Sequence, residues 1–282
     1  MVLLDLEDGV AGSEKAAARR NVVAAIARLD WGERIVAVRV NGWSSGETVR
    51  DLTEIVIGAG ARLDVVVLPK VYRPEEVVAL ELVLDDLEGQ SHRRDDPLGI
   101  EVLIETASAL SNVATVCASS PRLEAVAIGP GDLGAELGIP TLALGAGADA
   151  VNPFLYLLSS ILVAARTHGL QAIDGAFGAL ADEDGLRRAA SMSMALGFDG
   201  KWAIHPDQLR VVNDVFTPDA ATIARAEAIL AALESGAADG GAGAVRSGGE
   251  MVDAASGRLA RQVLRRQAGA LRRPSPPRDG ER

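Results

Sequence analysis

The chain of 282 residues reads as an α/β protein, a TIM-type (β/α)8 barrel one strand short, and three observations predict that fold. Short β-rich runs alternate with amphipathic helical stretches, the pattern of a parallel sheet with crossover helices. Chemically useful residues recur where nearly every run stops: Asp5, Glu7 and Asp8; Arg39 and Asn41; Lys70; Glu105; Asp132; Asp174; His205. A barrel spreads such residues around the carboxyl ends of its strands, whereas a doubly wound sheet gathers them at one crevice. Gly169, Gly175 and Gly197 punctuate the later units, as helix C-caps or turns do.

In chain order, the predicted strands are residues 2–6, 35–40, 65–68, 100–104, 125–128, 171–173 and 201–204. Between and after them the predicted helices are 15–29, 46–58, 74–87, 107–118, 153–168, 182–196 and 205–215. That makes seven strands where a closed barrel needs eight. After Thr217-Pro218 the pattern changes to an Ala-rich helix over 219–234, a Gly- and Ala-crowded loop over 235–249 and a last helix near 256–267. The expected domains are a barrel over 1–215, a C-terminal helical lid over 216–267 and a disordered, Pro-rich tail over 268–282.

Composition narrows the function. The formal charge of −11 argues against nucleic acid as a partner. Cys117, the only cysteine, excludes an intrachain disulfide or a cysteine-built zinc site, and its Ala/Ser-rich surroundings point to plain packing. All apolar runs fall short of the roughly 18 residues of a membrane helix, and no signal peptide is apparent, so a cytoplasmic protein without membrane contact is expected.

Two acidic residues are the most informative feature. Gly99-Ile100-Glu101-Val102-Leu103-Ile104 ends on Glu105, and Leu123-Glu124-Ala125-Val126-Ala127-Ile128-Gly129 runs through Pro130 and Gly131 into Asp132. Carboxylates from successive parallel strands can share one hard cation such as Mg²⁺, which takes one or two protein carboxylates and leaves its other positions to water and substrate. Asp5, Glu7 and Asp8 leave the first strand together and would be costly to desolvate unless a cation or an Arg met them; otherwise they cap a helix or carry surface charge. Arg39 is either a salt-bridge partner or an anion clamp. His205 suits a base, a ligand contact or a hydrogen-bonded structural role, and His92 and His168 look like loop or helix-end residues. Asp253 stands where it could cap the final helix.

In this order and spacing, these segments resemble the citrate lyase beta-subunit-like family of CoA ester lyases, in the HpcH/HpaI aldolase superfamily. Its members include malyl-CoA, β-methylmalyl-CoA and citramalyl-CoA lyases. The matching segments are residues 4–10 with Lys15 and Arg19, then 38–41, 68–70, 104–107, 129–138, 172–175, 197–208, 212–218 and 249–253. The block Gly197-Phe198-Asp199-Gly200-Lys201-Trp202-Ala203-Ile204-His205-Pro206 leans toward the malyl-CoA lyase branch.

The resemblance implies that Glu105 and Asp132 bind Mg²⁺, or Mn²⁺ in its place, with Glu7 and Asp8 orienting water around it. It implies that Arg39 faces the thioester or enolate oxygen. Asp253 is implied to act as an acid/base carboxylate in a neighbouring subunit, which requires a homo-oligomer, a trimer or hexamer. Lys70 and His205 are implied to lie near the mouth where CoA, part of the substrate, enters. Members of the family begin with one more strand and helix carrying an Arg-Ser-x-Leu-x-x-Pro-type sequence, so the absent strand is expected to be the first: either the start lies upstream of Met1, which is the favoured expectation, or the protein is truncated and the barrel has a gap. Two further departures are Val71-Tyr72 after Lys70, where a Val-Glu pair is usual, and an Arg replaced near positions 157–158. The same machinery suits a malyl-CoA thioesterase, a malate-synthase-like condensation, or a citrate-lyase-type subunit that works only with a partner.

Overall fold

A computed structural model of the chain describes residues 1–59, 62–91, 97–140, 153–238 and 243–271. It forms two compact units, Met1–Leu209 and Arg210–Arg282. The first alternates strands and helices: β1 (Val2–Asp5), α1 (Lys15–Arg28), β2 (Val36–Arg39), α2 (Thr48–Gly58), β3 (Val65–Leu68), α3 (Pro74–Ser91), β4 (Gly99–Ile104), α4 (Ala107–Ser111), α5 (Val113–Cys117), β5 (Leu123–Ile128), α6 (Pro130–Glu136), α7 (Leu155–Thr167), β6 (Gln171–Asp174), α8 (Glu183–Leu196) and β7 (Gly200–Lys201). All seven strands are parallel and pair in sequential order from β1 to β7.

Side chains from the whole width of this sheet meet in one interior cluster. Leu3, Ala37, Val65, Val67, Leu103, Ala127, Ile173 and Trp202 pack together. A flat sheet of seven strands would hold its outer strands roughly 29 Å apart, six spacings of about 4.8 Å. The sheet therefore curls, in the strand order of a (β/α) barrel. Among the described residues β1 pairs only with β2 and β7 only with β6, so the ring is not closed. The alternate positions, among them Val36, Val38, Val66, Ile100, Val102 and Val126, are buried on the helix side. Burial on both faces is why these strands read as continuous apolar runs.

Four elements differ from expectation. β7 stops at Lys201, not residue 204: the Trp202 N–H still bonds the Asp174 carbonyl at 2.9 Å, but the Ile204 N–H turns to the Gln208 side chain at 2.9 Å. The helix predicted over 107–118 is two short helices meeting at Asn112. In the second unit α9 (Pro206–Phe216), which straddles the boundary, leads to α10 (Ala220–Ala238). The stretch expected as a loop then forms a hairpin of β8 (Ala244–Ser247) and β9 (Glu250–Asp253). Its turn is Gly248-Gly249, both at positive φ as a two-residue hairpin turn requires. Finally α11 (Ala254–Leu271) runs past residue 267, where the tail was expected to begin; residues 272–282 and His92 lie outside the described residues. No described helix is long and apolar enough to cross a membrane.

One residue inside the curl is not apolar. Glu101 is in register with Val67 and Ala125 and precedes Leu103 on the interior face of β4; it is 2% exposed. Burial pushes its carboxyl up to about 7, against smaller opposing pulls from the Trp202 indole N–H and the chain's amino terminus. The indole approach is not a hydrogen bond of ordinary geometry, because Glu101 Oε1 and Trp202 Nε1 both lack a partner. A carboxyl raised on folding costs nothing below its ordinary 4.5, destabilises increasingly between there and about 7, and costs a constant amount above. Glu101→Gln should therefore stabilise the protein by about 3 kcal/mol at pH 8 and leave its stability unchanged at pH 4. Thermal melts at the two pH values check this.

Candidate active site

The carboxyl ends of β1 to β5 present the charged residues, the edge where parallel barrels carry chemistry. On leaving β1 the chain turns on Asp5, whose carboxylate accepts the N–H groups of Glu7 and Gly9 at 2.9 and 3.1 Å. Asp5 is in register with Arg39 on β2, and the guanidinium grips it through Nε and Nη2, both at 2.7 Å. Nη1 lies 3.2 Å from Glu7 Oε2. Burial pushes the Asp5 carboxyl up, but the bonds from Arg39, Glu7 and Gly9 outweigh it and hold it below its ordinary value. Burial likewise disfavours the Arg39 charge, and Asp5, Glu7 and Glu105 more than offset that.

Lys70, after β3, makes two kinds of contact. Its ammonium pairs with Glu7 at 2.6 Å and Asp8 at 3.0 Å, and its backbone N–H donates to Glu105 Oε1 at 2.6 Å. The backbone there is left-handed, at φ 51°, the only described non-glycine residue with positive φ. The strain is tolerated where surrounding contacts over-determine it, and here it aims the N–H at Glu105.

Glu105, directly after β4, is 3% exposed. Burial raises its carboxyl to about 7; the Lys70 N–H opposes this, the negative charges of Asp132 and Glu7 add to it, and Arg39 opposes it. Glu105 and Asp132 are thus close enough for one charge to feel the other. Asp132 sits exposed in the first turn of α6. Gly129, at the end of β5, is a necessity of this packing, since a Cβ there would lie 2.3 Å from Glu105 Oε2.

A buried network holds the turn from behind. Arg19 of α1 pairs with Asp51 of α2 at 2.7 Å, and Asp51 Oδ2 accepts both the N–H and the side-chain amide of Asn41, at 2.8 and 2.6 Å. Asn41 Nδ2 and Lys15 Nζ then donate to the Leu6 carbonyl at 3.0 and 2.7 Å, and Lys15 also reaches the Glu7 carbonyl at 2.7 Å. The backbone that carries Glu7 is therefore tied to two helices and a strand end.

The cluster suits a hard divalent cation. Five carboxylates (Asp5, Glu7, Asp8, Glu105, Asp132) stand against two cations, Arg39 and Lys70, and the buried Glu105 takes up charge reluctantly without a counter-ion. All donors are hard oxygens, which select Mg²⁺ or Mn²⁺. Among the described residues no three His, Cys, Asp or Glu side chains form a ready cage. Two carboxylates with open positions is the usual protein share for Mg²⁺.

The other candidate residues make contacts of their own. Asp174 points to the helix side, where its Oδ2 accepts from Lys201 Nζ and Ser193 Oγ, both at 2.5 Å. His205 is exposed at the start of α9, its Nδ1 accepting the Asp207 N–H at 3.3 Å. Asp253 belongs to the C-terminal unit and caps α11, accepting the Ser256 N–H at 3.0 Å, which lowers its carboxyl pKa. Leu157 and Leu158, where an Arg was expected, are buried in α7. Trp202 escaped the sequence reading: its ring lies 5.7 Å from the Arg39 guanidinium carbon. An aromatic just beyond a strand end, opposite alanines on neighbouring strands, was the available signal.

Known proteins share this arrangement of chain. The L-malyl-CoA/beta-methylmalyl-CoA lyase of Cereibacter sphaeroides is 38% identical, over 94% of this chain and 86% of its own length. The (3S)-malyl-CoA thioesterase of the same species is 37% identical over 83% of this chain and 74% of its own. Among solved structures, protein CitE from Mycobacterium tuberculosis, in complex with magnesium, acetoacetate and coenzyme A, is 31% identical with a TM-score of 0.74, covering 95% of this chain and 90% of that one. Residues 1–206 match the family described as HpcH/HpaI aldolase/citrate lyase, and the chain belongs to that family.

Proposed function

We propose that this protein is a Mg²⁺-dependent carbon–carbon lyase. It cleaves a 3-hydroxyacyl-CoA of the malyl-, β-methylmalyl- or citramalyl-CoA type into a 2-oxo acid and acetyl- or propionyl-CoA. The observation that carries the reading is the coupled pair Glu105 and Asp132 beside Arg39, in a chain 38% identical to a lyase of that name. The seven strands are read as staves of an eight-stranded barrel. The cytoplasm is the location proposed with it.

Glu105 and Asp132 would hold the ion, Mn²⁺ serving in its place. When bound there it supplies positive charge that anchors the substrate carboxylate and lowers the pKa of the hydroxyl. Glu7 and Asp8, steadied by Lys70, orient water at the rim of that site. When the hydroxyl proton passes to a water held at that rim, its carbon becomes the carbonyl carbon of the 2-oxo acid, the bond to the α-carbon breaks, and the electron pair passes into the thioester as an enolate. A guanidinium has five N–H donors. Two of those on Arg39 are given to Asp5 and Nη1 pairs with Glu7 at 3.2 Å, so donors are left for the enolate oxygen. The α-carbon then takes a proton. Asp253 from a neighbouring copy in a trimer or hexamer is the carboxylate assigned to that exchange, with Lys70 and His205 at the mouth where CoA enters. Mixing inactive Arg39→Ala and Asp253→Ala proteins should restore part of the activity if Asp253 acts in trans, and none if it acts within its own chain.

The test is product identity. Malyl-CoA, methylmalyl-CoA and citramalyl-CoA are offered with and without Mg²⁺, since one methylene changes discrimination by only about 1–3 kcal/mol. Glyoxylate plus acetyl-CoA from malyl-CoA, only with Mg²⁺, is the expected result. The similarity to a thioesterase makes hydrolysis the second reading, and malate plus free CoA would establish it.

A further inference from the structure

We propose that Trp202 is a positioning residue for Arg39, the floor on which the guanidinium rests; this builds on the reading of Arg39 as the donor to the enolate oxygen. Arg39 is fixed in its own plane by Asp5 and Glu7. Those contacts engage its nitrogens around the rim and put nothing against its face. The Trp202 ring, 5.7 Å from the guanidinium carbon, supplies the missing constraint from below. Cations are drawn to the face of an indole more strongly than to that of Phe or Tyr.

The interior is shaped to hold an indole there. The cluster Trp202 joins has only alanines at positions 37 and 127, small residues that leave room for a large ring. The Trp202 N–H bonds the Asp174 carbonyl at 2.9 Å, anchoring the backbone to the end of β6. Its Nε1 lacks a hydrogen-bond partner of ordinary geometry, and its pull on the buried Glu101 carboxyl is small beside the burial of that group. Take the indole away and the guanidinium loses the ring that lies against its face.

The test uses Trp202→Phe, Trp202→Leu and Arg39→Ala, singly and combined, in the whole chain with Mg²⁺ and malyl-CoA. Trp202→Leu should lose about tenfold in kcat with KM changed less than about twofold, and Trp202→Phe, which keeps a π face, should recover most of that loss. Combined with Arg39→Ala, neither Trp202 substitution should slow the enzyme further. If Trp202→Leu does not fold, Trp202→Met, which also lacks a π face, takes its place in the cycle. Additive losses in the cycle, or a Leu variant with normal kcat, would overturn the proposal while leaving the Arg39 reading intact. Normal turnover of Arg39→Ala itself would instead sink that reading and this proposal with it.

Discussion

Glu105→Gln is expected to abolish Mg²⁺-dependent turnover while leaving the fold in place. The amide keeps the shape and still accepts the Lys70 N–H, so the 2.6 Å contact survives. It removes one of the two buried negative charges in the cluster, the one assigned to the cation. If the ion contributes several kcal/mol to the barrier, the loss should be on the order of 10³ in kcat. The metal-free variant should melt no lower than the wild type at pH 8, because burial already disfavours the Glu105 charge. Steady-state rates across a Mg²⁺ titration, paired with melts, separate this outcome from simple misfolding. A variant that keeps its turnover would remove Glu105 from the chemistry.

Arg39→Ala should have an effect of similar size for a different reason. Losing one well-placed donor to a developing oxyanion costs roughly 3–4 kcal/mol, or 10²–10³ in rate. The structural consequence is smaller: Glu7 keeps its 2.6 Å contact with Lys70, and Asp5 keeps the two backbone N–H groups of its turn. Arg39→Lys should lie close to Ala in rate, because an ammonium restores the charge without the fork that grips Asp5. Near-normal kcat in Arg39→Ala would leave the arginine as a salt-bridge partner only.

Much of the fold was legible because parallel strands buried on both faces leave apolar runs that stop at polar residues. Asp5, Arg39, Lys70 and Glu105 stood out for that reason, and they meet around one cluster. The same habit hid Glu101, an acid inside such a run, and Trp202, which lies just past the last short strand. The hairpin over 244–253 was masked by Gly- and Ala-rich composition, although Gly248-Gly249 was a turn signal. Long-range partners such as Asn41 with Asp51 depend on how α2 packs, which local pattern does not reveal. For Asp253 the local reading, a helix cap, is what the chain displays, while its proposed role came from resemblance and depends on a second copy.

Glu105, directly after β4, and Asp132, in the first turn of α6, are proposed to hold a single divalent ion together. Calorimetric titration with Mn²⁺ of the wild type, Glu105→Gln and Asp132→Asn tests it most directly. The account predicts one ion per wild-type chain and at least about a hundredfold weaker binding in each variant, as expected when a ligand of an ion with few protein donors is lost. Undiminished affinity in either variant would contradict it.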